Sequence, residues 1–377
     1  MPRIGVNALY MIPGGVGGTE IYLRSLLAAL AGIDRANQYL VFTNRETGAG
    51  LVPSAPNFLH VPCGVAAANR PARIVYEQTA LAWKARSCGV LFNPGYTAPV
   101  LAPCPQVAVF HDMQHKRHPE HFRAADLLAW RALLWASAHR AAHLIADSAA
   151  SRDDVIRYYG LPPDRVTEVP LGVDEAFFDI GTARRDDCKS EGTNQTLLCV
   201  STLHPHKNIE RLLRVFARLH ARHPRWLLTL AGMRGFQTEA IEHLIAELGL
   251  GSFVRITGWI PREELHALYR TADAFVYPST FEGFGIPVIE ALAAAIPLAC
   301  SSIEPLRTLA GDAALTFDPL DETAMEAALH RLLSGRWNGR RGPAQAARYR
   351  WESAARSTLA ILESAATGSR TSRVNSR

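Results

Sequence analysis

Short apolar runs alternate with helical patterns along almost the whole chain, and this alternation constrains the fold more than any other feature. Residues 3–9 form an apolar run, a glycine-rich loop follows, and residues 19–32 then carry apolar side chains at helical spacing. The same order restarts at residues 196–202. Further apolar runs of strand length lie at 39–44, 58–63, 89–94, 106–112 and 144–148, and then at 226–232, 253–259, 274–279, 297–302 and 314–319. Because strands that alternate with helices form parallel sheets, the sequence predicts an α/β fold with two doubly wound, Rossmann-like domains.

The best candidate for a domain boundary is the polar segment 175–194, which carries no clear period. As a linker, it would separate an N-terminal domain, 1–174, from a second domain, 195–343. A helical pattern follows at 344–366. Residues 367–377 are polar, which predicts a disordered tail.

Composition excludes several classes of protein. The net charge of +5 comes from scattered residues, whereas nucleic-acid-binding proteins more often carry a basic stripe. The six cysteines are widely spread without a C-x-x-C pair, which favours a reducing compartment. No secretory signal is evident, and no apolar run reaches the roughly 18 residues of a membrane span. These features predict a cytoplasmic protein, and the mild positive charge leaves contact with anionic ligands or membrane surfaces open.

Glycines at 14, 15, 17 and 18 lie between the first predicted strand and the first predicted helix. Glycines let backbone N–H groups approach a ligand closely, and a helix N-terminus favours an anion. Their spacing does not match the G-x-G-x-x-G dinucleotide motif. The loop is therefore interpreted as a phosphate contact, with a simple tight turn as the alternative.

Lys207 lies in the corresponding loop of the second half, just before a predicted helix. The helix dipole repels a cation at this end, so the lysine has little structural reason to be there. A bound anion such as a diphosphate would explain both groups. The alternative is an ordinary exposed loop lysine.

Glu282 and Glu290 flank a glycine-containing loop and the start of an apolar helix, with Pro287 in its predicted first turn. Carboxylates are poor phosphate ligands but accept hydrogen bonds from hydroxyl groups, as a ribose or a hexose would supply. Stabilisation of the helix dipole could explain each glutamate separately. It does not explain their combination with Gly283 and Gly285.

Four histidines follow one predicted strand, and they invite a zinc interpretation: His111, His115, His118 and His121. Pro119 interrupts any helix there, and neither an H-E-x-x-H motif nor a cysteine partner is present. The sequence has no D-x-D pair at a strand end, where such a pair would hold a divalent ion on a diphosphate. The sequence therefore predicts no metal, and His111 is interpreted as a residue that contacts substrate.

The chain resembles the retaining glycosyltransferases of family 4, which have the GT-B fold. The motifs that carry the likeness are GGVGGTE, HDMQH, STLHPHKN, TGWIPREELHALYRTADAFVYPS and FEGFGIPVIEALA, and the last matches the E-x7-E motif of that family. The resemblance covers nearly the whole chain. It implies two Rossmann-like domains facing across a cleft, with the acceptor on the side of domain 1–174. It also implies that the helix 344–366 crosses back to that domain.

The resemblance implies a nucleotide-sugar donor that is bound mainly by the second domain. Glu290 would hold the ribose hydroxyls, Glu282 would contact the transferred sugar, and Lys207 would neutralise the diphosphate. His111 would contact the transferred sugar from the first domain. The expected catalytic residues are therefore His111, Glu282 and Lys207.

Backbone groups supply most of the other donor contacts that the resemblance implies. These lie at Gly17 and Gly18 for the distal phosphate, at Gly283, Phe284, Gly285 and Ile286 for the sugar and diphosphate, and at Trp259 and Ile260 for the base. Thr202 stands where many family members carry an arginine that helps to clamp the phosphates. Either the chain represents a subgroup without that arginine, or another cation replaces it, for which Arg234 is the candidate.

The resemblance implies transfer of a hexose to a glycan or lipid-linked acceptor in polysaccharide or lipopolysaccharide assembly, without cofactor, metal or nucleic acid. The HD-x-Q-H segment favours mannose from GDP-mannose. Two alternatives remain open: a nucleotide-sugar epimerase or sugar phosphorylase of the same fold, and a non-catalytic nucleotide-sugar-binding protein. Six apolar residues of one predicted helix favour packing in the core, with peripheral contact to the inner membrane surface as the alternative. These residues are Leu127, Leu128, Trp130, Leu133, Leu134 and Trp135.

Overall fold

The computed structural model describes residues 2–122, 124–186 and 194–374, with only the backbone described at 124–126, 185–186 and 369–374. The chain divides into two compact units. The first contains Met1–Gly172 and Trp351–Arg377, and the second contains Val173–Arg350.

The first unit is built on a parallel sheet, which has seven strands in the part of the chain that is described. Its strands are β1 (Arg3–Ala8), β2 (Gln38–Thr43), β3 (Phe58–Pro62), β4 (Val90–Asn93), β5 (Gln106–Phe110), β6 (His143–Ala146) and β7 (Val166–Glu168). Their spatial order is β3-β2-β1-β4-β5-β6-β7. Strands β4 and β5 are buried throughout, as expected for a parallel sheet covered on both faces.

The helices of this unit follow the apolar spacing of the sequence. They are α1 (Gly18–Ile33), α2 (Arg70–Tyr76), α3 (Ala82–Lys84), α4 (Gln114–Arg117), α5 (Ala124–Arg140) and α6 (Ala149–Tyr159). A π-helical turn, Glu77–Leu81, connects α2 to α3. Helix α6 begins where the Ser148 side chain accepts a hydrogen bond from the Ser151 N–H, and it ends at Gly160 in the left-handed conformation.

The second unit repeats this architecture with a parallel sheet of six strands among its described residues. The strands are β8 (Gln195–Val200), β9 (Trp226–Ala231), β10 (Val254–Gly258), β11 (Ala274–Tyr277), β12 (Leu298–Ser301) and β13 (Leu315–Phe317). Their spatial order is β10-β9-β8-β11-β12-β13. The prediction of two doubly wound parallel sheets is confirmed.

The segment predicted as a linker contains the first helix of the second unit. The helices of the second unit are α7 (Glu175–Asp186), α8 (Ile209–His220), α9 (Thr238–Glu247), α10 (Arg262–Thr271), α11 (Ile286–Ala293), α12 (Leu306–Ala310), α13 (Glu322–Leu333) and α14 (Gly342–Ala346). Helix α7 corrects the interpretation of 175–194 as an aperiodic segment, because Phe177 and Ile180 are buried and anchor it. Residues 187–193 of the predicted linker lie outside the described residues.

The last helix, α15 (Trp351–Val374), belongs to the first unit, where it packs against α1. A Cβ on Gly172 would clash with the Trp351 backbone, so a glycine is needed where the chain passes the start of this helix. The helix continues through residues 367–374, where the sequence predicts a disordered tail. Residues 375–377 of that tail lie outside the described residues.

Each sheet reverses its strand order at one point. In the first sheet this switch lies between β1 and β4, and in the second it lies between β8 and β11. Open parallel sheets bind ligands in the crevice beyond the carboxyl ends of such strands. None of the described helices combines the length and apolar character that a membrane span requires.

Candidate functional site

Lys207 and Glu282 form an ion pair at the switch point of the second sheet. The Lys207 Nζ donates a hydrogen bond to Glu282 Oε1 over 2.6 Å and another to the Tyr277 hydroxyl over 3.2 Å. The two charged side chains are only 13% and 9% exposed. The structure therefore brings together two groups that the sequence predicts to act on different parts of a donor, the diphosphate and the sugar.

The loops that carry this pair are tied to each other by backbone contacts. The Thr280 N–H donates to the His206 carbonyl over 2.8 Å. The Asn208 side chain donates to the carbonyls of Pro278, over 3.0 Å, and Pro319, over 2.8 Å. Asn208 itself has a φ of 58°, in the left-handed region, at the start of α8. These contacts hold the ammonium and the carboxylate in one geometry before any ligand binds.

Gly285 sets the start of α11. Its φ of 114° favours glycine, and an added Cβ would also clash with the Leu306 side chain. Pro287 lies in the first turn, as predicted, and no side chain caps the helix. Phe284 is buried with its ring 5.9 Å from that of Tyr349, whereas Gly283 is half-buried. The predicted donor contacts at 283–286 thus lie on a backbone shaped by packing, next to Glu282.

Glu290 lies in the second turn of α11 and is only 3% exposed. Its Oε2 accepts a hydrogen bond from the Tyr269 hydroxyl over 2.8 Å, and its Oε1 has no hydrogen-bond partner among the described residues. Burial raises the pKa of Glu290 to about 7, although Arg262 and the Tyr269 hydroxyl oppose this shift. Burial therefore favours the protonated form of the carboxyl group that is predicted to hold a ribose.

The remaining predicted donor residues of this unit differ in their surroundings. Thr202 and Ile260 are half-buried, while Trp259 is 58% exposed. Arg234 is exposed, and its guanidinium donates to Glu242 Oε1 over 2.6 Å. The expected substitute cation is thus engaged by a carboxylate of its own helix-loop segment. Lys207 is paired too, but it lies at the switch point.

His111 has an acceptor at each of its ring nitrogens in the first unit. Nδ1 lies 2.7 Å from Asp147 Oδ2, and Nε2 lies 2.8 Å from the Pro94 carbonyl oxygen. Burial lowers the pKa of His111, but Asp147 and the Pro94 carbonyl together raise it by more, so the net shift of the pKa is upward. Because a carbonyl can only accept, this geometry favours an imidazolium whose two N–H groups are both donated within the protein.

The glycine-rich loop lies directly before α1. Gly17 is the residue at the N-terminal cap, with a φ of 59°, and Gly18 is the first helical residue. No side chain caps the helix, but Glu20 in its first turn accepts a hydrogen bond from the Gly14 N–H over 2.7 Å. The loop therefore has the backbone shape expected of an anion contact, with one carboxylate already bonded to it.

The other histidines of the predicted cluster separate into two environments. His115 is buried with its Nε2 2.9 Å from the Tyr159 hydroxyl, and burial lowers its pKa to about 4. His118, Glu120 and His121 have potential metal-ligating atoms within 4.8 Å of one another, the one such group found among the described residues. The absence of a metal requirement stays a prediction.

Sequence reasoning missed several residues of these two sites. Tyr277 ends β11 and contacts Lys207, Tyr269 holds Glu290, and Asp147 holds His111. Asp147 was detectable in principle, because it directly follows β6 as His111 directly follows β5. Tyr269 carries no such signal, since its contact with Glu290 depends on where the fold places α10 and α11.

Two family models match the chain in succession. The model described as Glycosyltransferase Family 4 matches residues 16–177, and the model described as Glycosyl transferases group 1 matches residues 182–356. The chain is also 31% identical over 264 residues to O-antigen chain mannosyltransferase B of Escherichia coli, a match that covers 67% of this chain and 68% of that protein. The chain belongs to the family 4 glycosyltransferases and is therefore a glycosyltransferase.

Other relatives match over a smaller part of their length. The chain is 30% identical to the MMP alpha-(1->4)-mannosyltransferase of Mycolicibacterium hassiacum, over 59% of this chain and 54% of that one. It is 33% identical to the D-inositol 3-phosphate glycosyltransferase of Frankia alni, over 57% of each. The chain thus spans little more than half the length of these two relatives.

Solved structures show the fold independently. Sucrose-phosphate synthase from Thermosynechococcus elongatus superposes with a TM-score of 0.74 at 19% identity, over 97% of this chain and 99% of that one. HepE of Anabaena, in complex with UDP and glucose, gives a TM-score of 0.73 at 19% identity, over 97% and 100%. The expected two-domain, Rossmann-like GT-B fold is confirmed.

Proposed function

We propose that this chain transfers a hexose from a nucleoside diphosphate sugar to a hydroxyl group of a glycan or lipid-linked acceptor, with retention of anomeric configuration. The observation that carries the proposal is the Lys207–Glu282 pair at the β8/β11 switch point. It offers a cation for a diphosphate and a carboxylate for sugar hydroxyls side by side. Glu290 lies one helical turn into α11, and its Oε1, which has no hydrogen-bond partner among the described residues, supplies an acceptor for ribose hydroxyls.

The proposed reaction needs no protein nucleophile. The acceptor oxygen forms a bond to the anomeric carbon while the bond from that carbon to the diphosphate oxygen breaks. The departing diphosphate takes the electron pair of that bond and receives the acceptor's proton on the same face of the sugar. Lys207 and the uncapped N-terminus of α11 stabilise the charge that develops on the phosphate.

The proposed donor is GDP-mannose. Support comes from relatives named as mannosyltransferases in Escherichia coli and Mycolicibacterium hassiacum. HepE, a more distant neighbour, was solved with UDP, so the base is the point to test first. A thermal-shift panel of GDP, UDP, ADP and their sugars is expected to give the largest stabilisation with GDP and GDP-mannose. A larger shift with a uridine or adenosine compound would overturn this choice.

We also propose that the transfer requires no metal. The diphosphate charge would be met by Lys207 and by the start of α11. The rate is therefore expected to be the same after EDTA treatment and with added Mg²⁺ or Mn²⁺. A rate that falls with EDTA and recovers with one of these ions would contradict the proposal.

The proposed acceptor belongs to polysaccharide or lipopolysaccharide assembly, at the cytoplasmic membrane surface. The O-antigen name of the Escherichia coli relative supports this choice. Of the six apolar residues considered for membrane contact, Leu127 and Leu134 are buried in the unit, whereas Leu128 is 75% and Trp135 53% exposed. Flotation with anionic liposomes at low salt is expected to recover the protein, and Leu128→Ser with Trp135→Ser is expected to reduce recovery. Equal recovery of the parent chain and the double variant would refute a membrane contact through α5.

A further inference from the structure

Arg73 on α2 is a buried cation without a bonded partner. The residue is only 7% exposed, and its guanidinium makes no hydrogen bond or ion pair with any residue that the structure describes. Its Nε is completely buried, while its terminal nitrogens still reach solvent. Buried guanidinium groups are usually bonded to carboxylates or phosphates, because an unpaired buried charge is costly. Arg73 therefore faces a place where an anion is expected.

A second arginine lies one helical turn before the first. Arg70 is exposed and stacks on the Trp130 ring, with its guanidinium carbon 4.4 Å from the ring centroid. Its guanidinium too makes no hydrogen bond or ion pair with the residues that the structure describes. Burial lowers the pKa of Arg73, and the nearby positive charge of Arg70 lowers it further. Like charges one turn apart destabilise a helix, and a shared anion would remove that repulsion.

The acidic side chain that attracts Arg73, Glu77, is committed to other groups. Glu77 accepts hydrogen bonds from Asn7, over 3.3 Å, from Thr97, over 3.0 Å, and from Gln78, over 3.3 Å. It attracts Arg73 electrostatically, but the two make no ion pair. The charge of Arg73 is thus only partly offset within the protein.

This cluster lies at the switch point of the first sheet. Asn7 near the end of β1 donates to Asn93 at the end of β4 over 3.0 Å, and Glu77 bonds to the same Asn7. The carboxyl ends of β1 and β4 are where an open parallel sheet binds its ligand. Arg73 is therefore placed at a ligand-binding edge, in a different unit from the Lys207–Glu282 pair.

We propose that Arg73 and Arg70 bind a phosphoryl group carried by the acceptor substrate. The inference rests on the proposed function, because it identifies the second substrate of the same transfer. Two guanidinium groups match a phosphate better than a neutral sugar or a single carboxylate, since each guanidinium can donate two parallel hydrogen bonds. The phosphoryl group could belong to a sugar phosphate or to the phosphate of a lipid carrier, and these have the same chemistry at the two arginines.

Binding is tested by calorimetry on the full chain with saturating GDP, which occupies the donor phosphate site. The probes are mannose 1-phosphate, citronellyl phosphate and methyl α-mannoside. Arg73→Gln is expected to weaken binding of the phosphate-bearing probes at least about tenfold, and Arg70→Gln about threefold to tenfold. Arg86→Gln is the matched control, because Arg86 is an exposed arginine that stacks on Trp83, 3.7 Å from the ring centroid, in the same helical stretch.

The outcomes separate this inference from the proposed function. Tighter binding of mannose 1-phosphate indicates a sugar phosphate, and tighter binding of citronellyl phosphate indicates a lipid carrier. The inference is overturned if methyl α-mannoside binds as well as the phosphates, or if Arg73→Gln binds them like the parent chain. GDP affinity and slow donor hydrolysis are measured in the same variants. If these persist while phosphate binding is absent, the acceptor site is wrong and the donor assignment stands.

Discussion

Lys207 and Glu282 neutralise each other across 2.6 Å at the carboxyl end of the second sheet. A diphosphate must therefore bind beside an ammonium that already has a partner. We expect Lys207→Met to reduce GDP affinity about 10- to 100-fold, because a hydrogen bond to a charged group contributes about 1.5–3 kcal/mol. We expect Glu282→Gln to leave GDP affinity equal or higher, since the lysine then keeps its full charge. Calorimetric titration with GDP measures both.

The pair also supplies its own stability control. Removing one member of a buried ion pair costs about 3–5 kcal/mol, because it leaves the other charge unpaired. The double variant Lys207→Met with Glu282→Gln is expected to unfold nearer to the parent chain than the lysine variant alone. An unchanged GDP affinity in a folded Lys207→Met protein would rule out this lysine as the diphosphate contact.

Glu290 makes stability depend on pH. Its pKa rises from 4.5 to about 7 on folding, so between these values the folded state holds a proton that the unfolded state has lost. The free energy of unfolding therefore falls as pH rises through this window, by an amount on the order of 1–3 kcal/mol. Above about pH 7 the free energy of unfolding has decreased by this full amount. In urea unfolding between pH 5 and pH 8, the free energy of unfolding of Glu290→Gln should not show this decrease. A parent chain and variant with parallel pH profiles would contradict the shift.

Tyr269 is expected to tune nucleotide binding through Glu290. Its hydroxyl donates to the carboxylate over 2.8 Å, and this bond lowers the pKa that burial raises. If the ionised carboxylate accepts the ribose hydroxyls, GDP affinity should rise as pH increases through about 7, and Tyr269→Phe should move that midpoint upward. The pH dependence of the GDP dissociation constant checks this. Tyr39→Phe, in the first unit, should leave the midpoint unchanged.

Gly285 is expected to tolerate no side chain. Its φ of 114° and the position of Leu306 mean that Gly285→Ala adds backbone strain to a steric clash, for a total of about 2–5 kcal/mol in unfolding free energy. Gly249→Ala is the matched control, since Gly249 has a φ of 67° but open space around it. The control should lose only the strain contribution, and Leu306→Ala should partly rescue the Gly285 variant. Equal losses at the two glycines would mean that the clash is relieved without cost.

Asp147 is expected to maintain the charge on His111. Asp147→Asn removes the carboxylate at 2.7 Å from Nδ1, so burial should then dominate and lower the histidine pKa. In the parent chain the raised pKa means that the pair stabilises the fold below the ordinary histidine value of 6.5, and that this contribution is lost as pH rises through the folded value. Titration of the imidazole signals by NMR measures the shift. A variant histidine that titrates at the parent pH would show that Asp147 does not control it.

The sequence predicted the alternating architecture because parallel strands and their helices carry strong periodic signals. It also predicted that Lys207, Glu282 and Glu290 matter, because glycines and helix starts mark ligand-binding edges. Helix α7 was overlooked, since its buried residues Phe177 and Ile180 are few among polar neighbours.

The sequence could not predict contacts between elements that are distant along the chain. Tyr269 and Glu290 are 21 positions apart, and Asn7 and Glu77 are 70 apart, so their hydrogen bonds depend on packing rather than on local pattern. Arg73 could not be distinguished from a surface arginine in the sequence, because only the folded unit shows that it is buried and unpartnered.

Retention and the role of Glu282 are tested together by following GDP-mannose with proton NMR in the presence of the full chain without acceptor. We expect slow release of GDP, with α-mannose as the first-formed sugar, and a rate at least about 100-fold lower for Glu282→Gln because the carboxylate contacts the reacting sugar. First appearance of β-mannose would contradict retention. Release that proceeds equally well in Glu282→Gln would contradict the assignment of the Lys207–Glu282 pair as the reacting centre.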